Sequence, residues 1–306
     1  MLRLRASSHT ARAVGQARFG KKSPATRGVS NIETKLSGRR VFMGMKTMPH
    51  PDHAAETYNA MAPFYDAFTA HHDYELWLSN LLEALGREGL KGPGSMLDLA
   101  CGTGKSFLPM LDRGWSVTAV DCSKQMLERA RAKAPPVRLE LADLRSLPKI
   151  GQYDLVWCLG DAVNYLLTTD ELTLCLDGFR RNLAVDGLGL FDVDALAAYR
   201  GFFAETQVVE HADGRLTWTG RTPPDAESGV LAIADLEMCD RDGRVVGVAT
   251  HRQRHHPRHE IERAVAAAGL ELVAHHGHAY DAVLEQPLDE VRHTKAVYIV
   301  RRQERR

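Results

Sequence analysis

The 306-residue chain has only five cysteines, no long apolar run, and no basic excess over most of its length. Each shortage excludes something. Cys101, Cys122, Cys158, Cys175 and Cys239 are an odd set without the paired spacing of a metal site. That argues against a disulfide framework and fits a reducing, cytoplasmic setting. No apolar stretch approaches the ~18 residues of a membrane span, so no membrane partner is expected. Basic and acidic residues number 39 each, but eleven of the bases and one acid, Glu33, lie in residues 1–50, which leaves 28 against 38 for the body. A nucleic-acid surface is usually basic. The body instead suits a small-molecule or a protein partner, in a monomer or homodimer. Residues 1–50 are Arg-rich and lack apolar periodicity, and read as a disordered basic arm. An organelle transit peptide, or a start upstream of the true one near Met43, Met45 or Met48, is the alternative.

Two glycines are also missing from an otherwise suggestive stretch. Ser95–Ser106 reads as a short apolar strand, a tight turn at Gly102 and Gly104, and a helix start at Phe107 and Leu108. Such a turn brings backbone N–H groups against a ligand. Gly104-Lys105-Ser106 matches the tail of an NTPase phosphate loop, but the first glycine of that loop is replaced by Leu99. A dinucleotide fingerprint fails at its third glycine, which is Phe107. Neither class explains Asp98. A carboxylate at the end of a buried strand wants a cation or N–H groups beside it, and a pyrophosphate would be repelled.

Asp98-Leu-Ala-Cys-Gly-Thr-Gly104 resembles the first motif of the class I S-adenosylmethionine (SAM)-dependent methyltransferases, with Ala100 where the common form has Gly. The resemblance implies that Asp98 faces the methionyl end of SAM and that Ala100, Gly102 and Gly104 let the cofactor approach. Asp121 ends a second strand, 23 residues on, near the interval expected of a ribose-binding carboxylate. Asp143 ends a third. In the family an acid at that place accepts the adenine amino group, Leu144 offers its backbone N–H, and side chains at Cys122 and Met126 pack along the adenosine. Alternatively, these acids cap turns. The aromatic pattern from Tyr58 to Asp66 is similar to the N-terminal lid of small-molecule methyltransferases. That likeness puts Tyr65 and Trp77 over the cofactor, where aromatic faces suit a sulfonium.

The fold expected is α/β: a doubly wound, seven-stranded, mainly parallel Rossmann-like sheet with an inserted antiparallel β cap. Strands are expected at 95–99, 115–120, 137–141, 153–158 and 187–193. Pro63 would break the first helix, Ser123 and Thr169 or Asp170 would cap helices, and Gly187 would end one. Lid helices and SAM-binding core occupy 51–195. Hairpins at Asp213-Gly214 and Asp242-Gly243 mark a cap over 196–256, and 257–306 complete the core.

The exit of the fourth strand resembles a methyltransferase subgroup with a similar Asn-Tyr-Leu run, making Asp161, Asn164 and Tyr165 candidates for substrate contact, or simply loop-builders. His251, Gln253 and His255 share one face if the cap's last strand reaches them. His251 or His255 is then a candidate base, or part of a solvated rim. His276, His278 and Tyr280 are further candidates near the pocket. A metal site is disfavoured, since no acid or cysteine lies at suitable spacing. The reading is a SAM-dependent methyltransferase acting on a small molecule, an amine by resemblance. A nicotinamide oxidoreductase and a non-catalytic SAM-binding protein are the alternatives.

Overall fold

A computed structural model describes residues 53–303 apart from 71, 213 and 279–282. The expected arm, Asp213 and Tyr280 lie outside them. Two helices come first, α1 (His53–Phe68) and α2 (Tyr74–Arg87). Strand and helix then alternate: β1 (Ser95–Leu99), α3 (Leu108–Asp112), β2 (Ser116–Asp121), α4 (Lys124–Lys133), β3 (Arg138–Leu141), β4 (Tyr153–Cys158), α5 (Thr169–Asn182) and β5 (Leu183–Asp194). After α6 (Leu196–Arg200) come β6 (Thr206–His211), β7 (Gly214–Gly220), β8 (Leu231–Asp240) and β9 (Val245–Arg254). The chain closes with α7 (Arg258–Ala267), β10 (Leu270–His278), β11 (Leu284–Glu285) and β12 (Lys295–Arg302).

The large sheet runs β3-β2-β1-β4-β5-β12-β10-β11. Its first five strands are parallel, and β12 lies antiparallel between β5 and β10. There are eight strands rather than the expected seven, because the two-residue β11 adds to β10. Strand order reverses at β1, which pairs with both β2 and β4. Open α/β sheets bind ligands at the carboxyl ends beside such a reversal. One face is covered by Leu172, Leu176 and Phe179 of α5 and Ile261 and Val265 of α7. The other is covered by Leu78 and Leu81 of α2 and Leu127 of α4.

The second sheet, β6-β7-β8-β9, is an antiparallel meander. Its inner face, with Leu216, Trp218, Ala234, Leu236 and Met238, is closed by Met61 and Phe64 of α1 and by Tyr199 and Phe203. The stretch expected to be a lid is therefore also the core partner of the cap. This explains Pro63, which does not end the helix: α1 runs through it to Phe68, and α2 starts at Tyr74. Burial of Met61, Ala62 and Phe64 offsets the ~3 kcal/mol that an interior proline costs.

Two further boundaries differ from expectation. Gly187 lies inside β5, at a bulge where Tyr153 pairs with Leu183 but Leu155 pairs with Leu188. A Cβ at Gly187 would come within 2.6 Å of the Tyr153 carbonyl oxygen, so glycine there serves a close approach and not a helix end. Helix α5 starts one residue early, capped by Thr168 in a reciprocal box with Glu171. Ser123 caps α4 as expected.

Candidate active site

The turn after β1 is held in a conformation that few residues tolerate. Ala100 (φ 53°), Gly102 (φ 53°) and Gly104 (φ 91°) are all left-handed. A Cβ on Gly104 would stand 2.7 Å from the Phe107 ring. Asp98, one residue before the end of β1, is 1% exposed. Its Oδ2 accepts a hydrogen bond from Ser106 Oγ at 2.5 Å, while its Oδ1 is buried and meets no cation. Burial, aided by the Asp121 charge, pushes the carboxyl up to about 7, against the pull of the Ser106 hydroxyl and the Trp157 indole N–H. A buried carboxylate without a cation is costly, and an ammonium ligand would relieve it.

Asp121 at the end of β2 is tied to the same turn. Its Oδ2 accepts from the Gly102 backbone N–H at 2.8 Å and its Oδ1 from that of Ser123 at 2.7 Å. A carboxylate offers about four acceptor positions, so further donors can still be met. Met126 is fully buried and Cys122 half-buried next to this acid. Asp143 is placed otherwise. It accepts from the Arg145 backbone N–H at 2.8 Å and closes an ion pair with the Arg145 guanidinium, Nε to Oδ1 at 2.9 Å. Leu144 packs half-buried against the apolar layer under α5.

Helix α1 lies over the turn. A Cβ built on Gly102 would meet the Tyr65 ring at 3.7 Å. Thr103 Oγ1 donates to Asp66 Oδ1 at 2.5 Å, and Lys133 pairs with Asp66 Oδ2 at 2.7 Å. Asn59 Oδ1 accepts from Ser123 Oγ at 2.7 Å, and Thr57 Oγ1 donates to the Thr250 carbonyl at 3.0 Å. The lid thus clasps both the cofactor turn and the cap. Beneath it is a cavity of about 20 Å³ whose walls include Tyr65, Tyr74, Ala100, Lys105 and Ser106. Tyr74, not Trp77, supplies the second aromatic wall. Trp77 faces the apolar layer under α2, its ring 6.1 Å from that of His278 on β10. Helical spacing marks a buried aromatic without saying what it is buried against. His276 shares strand β10 with His278 and is also buried.

The exit of β4 and the end of β9 meet across the cleft. Asp161 is itself left-handed (φ 56°). Its Oδ2 accepts from Gln253 Nε2 at 2.7 Å and its Oδ1 from Lys295 Nζ at 2.8 Å. Lys295 also reaches Asp192 at 3.1 Å and Asp194 at 2.9 Å. Burial works against the Lys295 charge, but the three carboxylates hold its ammonium well above the usual range. Burial, aided by the Asp161 charge and opposed by Lys295, pushes Asp194 up to about 7. The Tyr165 hydroxyl is hydrogen-bonded to Nδ1 of His251. His251 is packed among Trp218, Tyr58 and Tyr165, and burial lowers it to about 4, so the ring is neutral.

Two expected members of this region do other work. Asn164 is locked by backbone, donating to the Arg254 carbonyl and accepting from the Asp194 N–H, both at 2.9 Å. It braces β5 against β9. His255 accepts the Gly229 backbone N–H at Nδ1 (3.0 Å) and lies edge-on to Tyr199, tying down the loop before β8. Sequence reasoning passed over Tyr74, Ser106, Asp192, Asp194 and Lys295. The acids were findable, because Phe191-Asp-Val-Asp194 puts carboxylates on yet another strand tip. Lys295 gave only a faint signal, as the one charge opening an apolar strand.

Residues 96–187 match the family of methyltransferase domains. The chain is 29% identical over 222 residues to YqeM of Bacillus subtilis (strain 168), an inferred methyltransferase, spanning 70% of this chain and 87% of that protein. It is 25% identical over 192 residues to the dTDP-3-amino-3,6-dideoxy-alpha-D-glucopyranose N,N-dimethyltransferase of Streptomyces fradiae, spanning 62% of this chain and 75% of that one. Its fold is similar to that of an S-adenosylmethionine-dependent methyltransferase from Clostridium acetobutylicum ATCC 824, with a TM-score of 0.66 at 23% identity, over 81% of this chain and 99% of the other. The fold is α/β, with a tight turn at the carboxyl edge of the sheet where it reverses. These likenesses make the chain a SAM-dependent methyltransferase, similar to the class I enzymes, and SAM is its methyl donor. Among the described residues no helix is long and apolar enough to cross a membrane.

Proposed function

We propose that the protein methylates the nitrogen of a small-molecule amine. The nitrogen is supported by the likeness to an aminosugar N,N-dimethyltransferase. The donor half rests on one observation, the buried Asp98 carboxyl at the tip of β1, met by the Ser106 hydroxyl and the Trp157 indole N–H but by no cation. Asp98 would receive the donor's ammonium, Asp121 its ribose hydroxyls, and Met126, Cys122 and Leu144 its base. Asp143 would first have to share its carboxylate with Arg145, so its part is the smallest. The donor, when bound, supplies an electrophilic methyl group. The protein's own share is to hold the acceptor against it and keep water out, which can lower a barrier by roughly 7–11 kcal/mol. Tyr65 and Tyr74 close the cleft, and Tyr165 with neutral His251 lines the acceptor side. The test is transfer of a labelled methyl group to a panel of amines and matched alcohols. Label in the amines is expected; label in the alcohols alone would reject the nitrogen.

A further inference from the structure

Tyr58, Tyr165, His251 and Asp161 come from three distant segments and meet between α1 and the cap. We infer that they form an enclosure which binds the acceptor as a cation, whose proton must pass to the unpartnered His251 Nε2 before the nitrogen's lone pair can attack the methyl group; this rests on the amine reading above. The Tyr58 and Tyr165 ring centroids are 5.4 Å apart, and each ring lies 5.7 Å from that of His251. Aromatic faces carry negative charge density and attract ammonium groups, more so when desolvated.

The enclosure has an unmet polar atom. His251 is 3% exposed, its Nδ1 is taken by the Tyr165 hydroxyl, and its Nε2 is buried without a partner. With the ring proton on Nδ1, Nε2 presents a lone pair to an N–H donor. Asp161 supplies the charge. Gln253 and Lys295 each occupy one of its oxygens and fix its direction, and each oxygen keeps a further lone pair. The left-handed backbone at Asp161 is sparsely populated for a residue with a side chain, and such positions cluster where a side chain must be aimed.

Charge balance points the same way. Asp161, Asp192 and Asp194 surround one ammonium, that of Lys295, and even with Asp194 protonated one negative charge is left over. A cationic ligand offsets the excess of negative charge, and a neutral one leaves it. The acceptor class is therefore a basic alkylamine, protonated in water, in preference to an arylamine or an alcohol.

The test is calorimetry on the whole protein loaded with S-adenosylhomocysteine. The probes are choline and its uncharged isostere, 3,3-dimethylbutan-1-ol. Choline should bind about tenfold more tightly. Asp161→Asn keeps the shape and suits a left-handed backbone; it should erase that preference while S-adenosylhomocysteine affinity is retained. Equal affinity of the two probes for the wild-type protein, or no binding of either, overturns the inference. Charge preference without any N-methylated product would overturn the amine reading and leave the enclosure standing.

Discussion

The proposed donor side and the proposed acceptor side of this cleft are built in different ways. The donor side comes from one contiguous stretch. Asp98, the turn from Ala100 to Gly104, and Asp121 follow each other along the chain, and the turn bonds to the second acid directly, Gly102 N–H to Asp121 Oδ2 at 2.8 Å. The acceptor side is gathered from far apart. Tyr165 and His251 are 86 positions from each other, and Asp161 and Lys295 are 134. A contiguous site depends on local geometry alone. A gathered one depends on the cap, on α1 and on the antiparallel insertion of β12 all being in place. The two halves should therefore fail separately.

The largest test of that separation is Asp98→Asn. The amide keeps the bond with Ser106 but cannot neutralise an ammonium. A charged hydrogen bond contributes ~1.5–3 kcal/mol, so SAM affinity should fall about 10–100-fold by calorimetry. Thermal stability of the free protein should hold or rise, because a buried carboxylate without a cationic partner is removed. A large loss of stability would mean that Asp98 holds the fold and not the ligand.

Titration extends the comparison to both halves. Asp98 and Asp194 each have a folded-state pKa of about 7, above an unfolded value of ~3.9. A raised pKa favours the folded state when the group is protonated. That contribution is complete below about pH 4 and is lost as pH rises through about 7. The buried histidines, lowered to about 4, act in the opposite sense below about pH 6.5, so the readable quantity is a difference: between pH 5 and 8 the melting temperature of the free wild-type protein should fall relative to that of Asp98→Asn. SAM affinity should move oppositely, rising from pH 5 to 7 as Asp98 ionises. Asp98→Asn should flatten the affinity profile and only part of the stability profile, leaving the share of Asp194. An affinity profile unchanged in Asp98→Asn would disconnect this carboxyl from the donor.

Tyr165→Phe sharpens the other half. It removes the hydroxyl that holds His251 Nδ1. A neutral hydrogen bond contributes ~0.5–1.5 kcal/mol, so the acceptor KM should rise about 2–10-fold with SAM affinity unchanged. Equal changes in both would show the halves to be one unit.

The same contrast explains what the sequence disclosed. Strand-turn-helix at Asp98–Phe107 and the acid ending β2 are local patterns, and they were legible. Parallel strands and two Asp-Gly hairpins were too, since alternation and turn chemistry are also local. Trp77 and His255 were misplaced because burial alone does not say which neighbour buries a ring. Tyr165 and His251 were named separately, but nothing in the sequence joined them. Lys295 gave only a faint signal, because its ammonium meets Asp161 through the placement of β12 between β5 and β10.

The smallest expected effect concerns two residues that share a backbone state, one on each side. Ala100 and Asp161 are the non-glycine residues with positive φ among those described, at 53° and 56°. For Ala this conformation costs ~1–2 kcal/mol. Glycine would relieve it, but would also gain ~0.4–1 kcal/mol of unfolded-state freedom. Ala100→Gly should therefore stabilise the protein by at most about 1 kcal/mol, or ~2–4 °C in melting temperature for a chain of this size. SAM affinity should not change, because the backbone stays where it is. Asp tolerates the left-handed region better than Ala, so Asp161→Gly should gain less and should lose acceptor binding with the carboxylate. If Ala100→Gly instead lowers stability, the turn does not hold its positive φ in solution. If Asp161→Gly leaves acceptor binding intact, the strain at β4's exit serves the loop alone, and the acceptor side loses its charged anchor.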